Sequence, residues 1–273
     1  MKTLAYNKRM CLVRAIALAF IVSSLLSAQN PATLGAANEA KAEQIIKKAI
    51  EALGGNAYLS VKTVTGRGLF TPYQNGGAGL PSEFVDFIAW PDRERTEFKS
   101  SLSRVIQVNT GDTGWLFDGK TKLFKDMAPS QVADFKQYIR TAPDNLLRGF
   151  WRAEGAKLSY VGRREAGLGK RNEVIKLTYS EDLEVEFEFG AQDSFPAKVV
   201  YRKLNAEGVL AREEDRFAQF ININGVNAPF VIDHYREDKQ ASRVNYTAIE
   251  FNRPMPDELF VKPATPKAVK WNF

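Results

Sequence analysis

From position 61 to position 251 the chain alternates apolar and polar residues in one short run after another, separated by turn residues. That period of two restricts it to an antiparallel meander. The cleanest run is Leu183-Glu184-Val185-Glu186-Phe187-Glu188-Phe189, which places Val185, Phe187 and Phe189 on one face and three glutamates on the other. Twelve candidate strands follow from the same pattern: 61–70, 83–90, 93–99, 103–109, 114–124, 157–163, 173–179, 183–189, 197–203, 209–223, 229–237 and 243–251. One face is expected dry and the other wet, as antiparallel sheets permit.

Two segments break the alternation. Before it, Ile45, Ile46, Ala49, Ile50 and Leu53 recur at helical spacing, with Asn38 as a capping residue and Gly54-Gly55 as a left-handed stop. This predicts an amphipathic helix that must lie on something. In the middle, 129–140 and 143–151 read as two short helices joined at Ala142-Pro143, a helical cover over the sheet. Val132, Phe135, Tyr138 and Ile139 share a face in the first, and Leu146, Leu147, Phe150 and Trp151 cluster in the second. Residues 29–37, small and polar with one proline, suit a flexible leader. No linker interrupts the rest, so 38–273 is assigned as one domain.

Residues 1–28 read as an export signal. Lys2, Lys8, Arg9 and Arg14 precede the apolar run from Ala15 to Leu26, which falls well short of the roughly 20 residues a spanning helix needs. Cleavage is expected near Ala28. Removing the signal takes four of the 38 basic residues and none of the 32 acidic ones, so the net charge falls from +6 to +2 and a nucleic-acid partner loses its electrostatic basis. The single cysteine, Cys11, leaves with it, excluding disulfides, zinc-thiolate sites and cysteine nucleophiles from the mature chain.

The motifs that could carry chemistry have plainer explanations. Gly114-Trp115-Leu116-Phe117-Asp118-Gly119-Lys120-Thr121 spells a phosphate-binding G-x-x-x-x-G-K-T. Its bulky Trp, Leu and Phe suit a strand instead, and Asp118-Gly119 a hairpin turn. His234, the only histidine, is in phase with Phe230 and Ile232, while Asp233 points the other way and so cannot orient it as a triad partner. Glu184, Glu186 and Glu188 have a spacing compatible with a glycosidase pair but read as a solvated sheet face, and the run 92–97 as a wet strand with cross-strand pairs. No metal signature occurs, and no cofactor is expected. The remaining signal is aromatic and apolar. Trp90, Trp115, Phe117, Leu146, Leu147, Phe150, Trp151, Val185, Phe187 and Phe189 are the candidate lining of a hydrophobic cavity between a curved sheet and the helical insertion.

Several local patterns then resemble the periplasmic outer-membrane lipoprotein carrier and sorting (LolA-like) superfamily. They are Ala42-x-x-Ile45-Ile46-x-Lys48-Ala49-x-x-Ala52-Leu53-Gly54-Gly55 followed by Val61-Lys62-Thr63, then Asn109-Thr110-Gly111-Asp112-Thr113-Gly114-Trp115. Near the end come Asn224-Gly225-Val226-Asn227-Ala228-Pro229, Tyr246-Thr247-Ala248-Ile249-Glu250-Phe251-Asn252 and Pro256-Asp257-Glu258-Leu259-Phe260-Val261-Lys262-Pro263. The resemblance implies a mainly β (α+β) fold: a strongly curved antiparallel sheet forming an incomplete β-barrel, with an N-terminal helix and a helical insertion covering the concave side. It further implies a periplasmic, non-catalytic, monomeric binding protein for lipid, acyl chains or a lipoprotein, in lipoprotein sorting or envelope sensing, with an envelope membrane protein as a further partner. The competing reading is an exported hydrolase centred on His234.

Export is directly measurable. Mass spectrometry of the protein from its native host is expected to show an N-terminus at or next to Gln29. A chain that retains Met1 and stays in the membrane would make residues 15–26 an anchor instead.

Overall fold

In the computed structural model, residues 31–273 are described apart from 206 and 207, and the export signal expected over 1–28 lies outside the described residues. The strands are β1 (Thr63–Gln74), β2 (Gly77–Ala78), β3 (Ser82–Ala89), β4 (Arg93–Lys99), β5 (Arg104–Thr110), β6 (Thr113–Asp118) and β7 (Leu123–Asp126). After the insertion come β8 (Lys157–Glu165), β9 (Arg171–Thr178), β10 (Glu184–Gly190), β11 (Pro196–Leu204), β12 (Leu210–Ile223), β13 (Val226–Arg236) and β14 (Lys239–Phe251). They form one open antiparallel sheet in the order β7-β6-β5-β4-β3-β1-β14-β13-β12-β11-β10-β9-β8, with β2 paired only to β1. The expected mainly β, curved and incompletely closed architecture is therefore the one observed.

Each half of the sheet is a meander whose neighbours are close in sequence, and the two halves meet where the first long strand pairs with the last. Val64 lies opposite Phe251, and the register slips at Arg67/Gly68. Glycines permit that approach. A Cβ on Gly68 would fall 2.0 Å from the Asn245 carbonyl oxygen, and one on Gly66 would meet the Tyr246 ring at 2.6 Å.

Strand 114–124 of the sequence reading is two strands. Asp118 Oδ1 accepts hydrogen bonds from the backbone N–H of Lys120 (2.7 Å) and Thr121 (3.2 Å), closing the hairpin between β6 and β7 across the G-x-x-x-x-G-K-T letters. The first helix, α1 (Pro31–Leu53), begins before position 38, because proline is tolerated in a first turn and the alanines after it favour helix. Asn38 is thus no cap, and its Oδ1 instead accepts from the backbone N–H of Tyr160. A short α2 (Asn56–Leu59) follows. The insertion comprises α3 (Pro129–Thr141), α4 (Pro143–Leu147) and a 3-10 turn, Phe150–Glu154, the second expected helix being broken at Gly149, which adopts φ +76°.

Two apolar cores form on opposite faces of the sheet. On the concave side of the second half, Ala42, Ile45, Ala49 and Leu53 of α1 pack with Leu146, Leu147 and Trp151 against Leu177, Val185, Phe187 and Phe189. On the convex side of the first half, Ile106, Val108, Trp115 and Phe117 are covered by Phe260 and Trp271 of the C-terminal segment. That segment is pinned by a buried pair. Arg95 bonds Glu97 (Nη2 to Oε1 2.8 Å) and donates to the carbonyls of Leu259 and Lys270 (2.9 Å each), while Asn272 donates to Glu97 through its backbone N–H and Nδ2 (2.8 and 2.6 Å).

The run 92–97 is therefore not a wet strand: Arg95 and Glu97 are 4% and 0% exposed beneath the C-terminal segment. Nor is the 184–188 face wholly wet. Glu188 is buried, with Asn172 Nδ2 (2.9 Å) and Arg164 (2.8 Å) satisfying its two oxygens.

The close approach at β1 and β14 yields a prediction. Gly68→Ala is expected to destabilise the protein by at least ~2 kcal/mol in urea unfolding, since a methyl inserted against backbone has nowhere to relax. Gly77→Ala, whose Cβ would come no nearer than 3.8 Å to another atom, is expected to be tolerated.

Candidate functional site

Where α1 does not reach, the concave face is not filled. A cavity of about 660 Å³ lies between the strands β1, β3, β4, β14, β13 and β12 and the helices α3 and α4, within the size range of ligand pockets in general. Its sheet wall presents Phe84, Ile88, Phe98, Phe217, Tyr246 and Ile249, and its helical wall Phe135, Tyr138 and Leu147. Tyr138 lines the cavity from α3 and is 52% exposed. Beneath it, Phe84 and Tyr246 pack edge to face with centroids 5.4 Å apart.

α3 spans this opening on ion pairs and hydrogen bonds, with Phe135 turned inward and Arg140 at its C-terminal end paired with Glu154 and Glu181 (2.6 Å each) over the Tyr179 ring. Lys136 pairs with Asp112 in the β5–β6 turn (2.5 Å), Asp134 with Lys203 of β11 (2.8 Å), and Gln137 Nε2 donates to the Arg202 carbonyl (3.2 Å). Exposed pairs of this kind contribute about 0–1 kcal/mol each. Phe135 is buried yet belongs to neither core. α4 is tied down more firmly. The Arg148 guanidinium bonds Asp144 (2.8 Å) and the Val61 carbonyl (2.9 Å), and it stacks on the rings of Tyr58 (4.6 Å) and Trp90 (5.2 Å).

Polar groups interrupt the apolar wall. Asp86 of β3 and Glu94 of β4 both face the cavity, Asp86 directly opposite Thr96, whose hydroxyl donates to Asp86 Oδ1 (2.8 Å). Burial raises the Asp86 carboxyl to about 6 against the pull of that hydrogen bond. Burial, reinforced by the Asp86 charge, also raises Glu94 well above the usual carboxylate range. The Tyr138 hydroxyl is pushed up first by the Glu94 carboxylate and then by burial.

His234 lines the cavity from β13, in phase with Ile232, while Asp233 faces away and binds Arg243 (2.6 and 2.7 Å). Pro229 rather than Phe230 joins this wall. Nδ1 of His234 lies 2.7 Å from Asp215 Oδ1, and Nε2 lies 2.9 Å from Glu213 Oε2 in an ion-pair contact. Burial alone would lower the imidazole, but the Asp215 hydrogen bond and then Glu213 outweigh it and raise the group to about 9. At neutral pH the ring is a clamped imidazolium with both nitrogens engaged. Ser242, directly across the ladder from it, makes no hydrogen bond to it, and a base with no free lone pair cannot activate a nucleophile.

Of the ten residues proposed from sequence as cavity lining, Trp90 and Leu147 are on its wall. Leu146, Trp151, Val185, Phe187 and Phe189 do come together, but in the filled core, because α1 occupies that half of the concave face. Trp115 and Phe117 face the opposite side, in phase with Ile106 and Val108, under the C-terminal segment, and Trp115 Nε1 donates to the Phe260 carbonyl (3.0 Å). Phe150 is half-buried in the 3-10 turn away from the cavity. The sequence reading missed Asp86, Glu94, Tyr138, Asp215 and Tyr246. Asp86 sits between Phe84 and Ile88 on a single face of β3, and a charge within an apolar stripe was the signal available.

No family model matches the sequence, and no curated protein does. Solved structures do share the fold. A LolA superfamily protein from Nitrosomonas europaea superimposes with a TM-score of 0.56 at 15% identity, covering 81% of this chain and 97% of that one. A DUF1329 family protein from Desulfovibrio piger gives 0.58 at 10% identity, with the same coverage of both chains. A domain from Vibrio parahaemolyticus, named for outer membrane lipoprotein sorting, gives 0.53 at 10% identity, over 80% and 97%. The chain thus has a LolA-type fold. Among the described residues no helix is long and apolar enough to cross a membrane.

The clamped imidazolium makes stability depend on pH with a definite sign. The folded-state value near 9 exceeds the ordinary 6.5, so the contribution is complete below about pH 6.5 and is lost as pH rises through 9. Unfolding free energy is expected to fall by up to about 3 kcal/mol between pH 6 and 9.5. Urea titrations of wild type and His234→Gln check this, the variant showing little change across the same window.

Proposed function

We propose that this protein, with its LolA-type fold, is an exported, non-catalytic carrier or sensor in the cell envelope that holds acyl chains of a lipid or lipidated protein under α3. The observation that carries this reading is the partly empty concave face: a cavity of about 660 Å³ with aromatic and aliphatic walls. An apolar chain entering it would gain roughly 0.8 kcal/mol for each methylene removed from water. The cover is suited to pivoting, since the middle of α3 is fastened by exposed ion pairs while Arg140 anchors its C-terminal end, and Phe135 and Tyr138 line the cavity between. Export through the signal at 1–28 would place the protein where lipoproteins and envelope membrane partners are found, with 38–273 as the binding domain.

Native mass spectrometry of the purified mature protein, with extraction of any retained lipid, tests this directly. A lid variant and a core variant then separate binding from folding. Phe135→Ser is expected to weaken a fluorescent fatty acyl probe by about tenfold or more, since burying a phenylalanine contributes ~1.5–3 kcal/mol and tenfold is about 1.4 kcal/mol. Trp151→Ser, in the filled core, is expected chiefly to lower the unfolding temperature. Wild-type protein that binds no acyl probe and carries no lipid would refute the carrier reading.

A further inference from the structure

The cavity wall carries five carboxylates, Asp86, Glu94, Asp134, Asp144 and Asp215, against only two basic groups, Arg148 and His234. Three of the five have their own cation: Asp134 pairs with Lys203, Asp144 with Arg148 and Asp215 with His234. Asp86 and Glu94 have none. Asp86 is 6% exposed with the Thr96 hydroxyl as its side-chain partner. Glu94, diagonal to it across the β3–β4 ladder, makes no side-chain hydrogen bond and no ion pair among the described residues.

Leaving two neighbouring carboxyl groups in an apolar hollow is costly, and the cost is relieved when a cation is brought to them. Ordinary acyl chains do not require this pair. A hydrophobic wall would serve them better, since two buried carboxyl groups only add a desolvation cost.

Resting on the carrier reading above, we infer that the ligand is an amphiphile whose apolar chain fills the cavity and whose protonated amine docks between Asp86 and Glu94. The Tyr246 ring lies over Gly66, which is directly opposite Asp86 on the β1–β3 ladder, and Tyr138 lines the same cavity from α3. Their rings offer π-faces, which attract ammonium groups. The arrangement discriminates against a free fatty acid, whose carboxylate would come to a spot that already holds two acidic groups and no cation.

Overall charge favours the opposite preference. Without the four basic residues of the expected export signal the formal net charge of +6 becomes +2, which still favours the anionic amphiphile non-specifically, so a preference for the amine has to come from the site.

The test compares dodecylamine, dodecanol and dodecanoate below their aggregation concentrations as competitors of a fluorescent acyl probe, using wild type and the double variant Asp86→Asn/Glu94→Gln. Wild type is expected to bind the amine at least tenfold more tightly than the alcohol and more tightly still than the acid. In the variant the amine-to-alcohol ratio is expected to collapse towards one. Equal affinities in wild type, or tighter binding of dodecanoate, would overturn the amine assignment and leave the carrier reading standing. A preference that survives in the double variant would overturn it too, by moving the selectivity elsewhere. Absence of binding by all three, with the probe itself failing, would remove the carrier reading together with this one. Should the double variant not fold, the wild-type ratios decide alone.

Discussion

The pairing of β1 with β14 is the constraint on which the rest of the molecule depends. Every other strand finds its partner close by in sequence, so each half of the sheet can form as a local meander, but only this seam joins residues near 64 to residues near 251. It is also a close passage of the sheet, made possible where Gly66 and Gly68 expose bare backbone to Asn245 and Tyr246. Joining first and last strands at the centre sends β7 and β8, consecutive in the chain, to the two outer edges. The segment between them must cross from one edge to the other, and α3 and α4 are that crossing. The helical cover is thus a consequence of topology.

The two faces of the sheet are closed by different means. On the convex side the C-terminal segment lies over Trp115 and Phe117, fixed through the Arg95–Glu97 pair and its bonds to Leu259, Lys270 and Asn272. Such a pair stabilises only because its remaining donors and acceptors are satisfied, which here also sets where the segment lies. On the concave side a single helix, α1, is available for a surface wider than itself. It fills the half beside β8 to β10 at core density, and α4 seals its flank with Leu146 and Leu147. The other half is left to α3, which reaches across on ion pairs and the Arg140 anchor and leaves a cavity beneath it.

That space has a divided character. Aromatic and aliphatic side chains make most of its surface, yet its carboxyl groups are placed with different degrees of neutralisation. Asp215 and Glu213 hold His234 as a cation, and Asp144 holds Arg148 against Tyr58 and Trp90, so these groups complete one another. Asp86 and Glu94 are not completed by the protein, and burial drives both towards the neutral form. A cavity whose unpaired carboxyl groups sit together on one side of an apolar wall can orient an amphiphile as well as hold it.

The sequence by itself determined the elements. A period of two is local, so the strands could be read within a few residues, with Asp118-Gly119 as a turn and α1 and α3 from their own apolar spacing. It also determined that Leu146, Trp151, Val185, Phe187 and Phe189 would meet, since each had to hide and the insertion had to lie on the sheet. Alternation tells which residues share a face but not what covers that face. Trp115 and Phe117 were placed in the cavity although they belong to the convex core, and Arg95 and Glu97 were read as wet although the distant C-terminal segment buries them. Whether the concave side is filled or hollow depends on the width of the sheet relative to one helix. Which carboxylates have a cation depends on register between strands remote in the chain, as with Asp215 and His234. Those are relations between surfaces, fixed only when the β1–β14 seam closes, and no single stretch of sequence contains them.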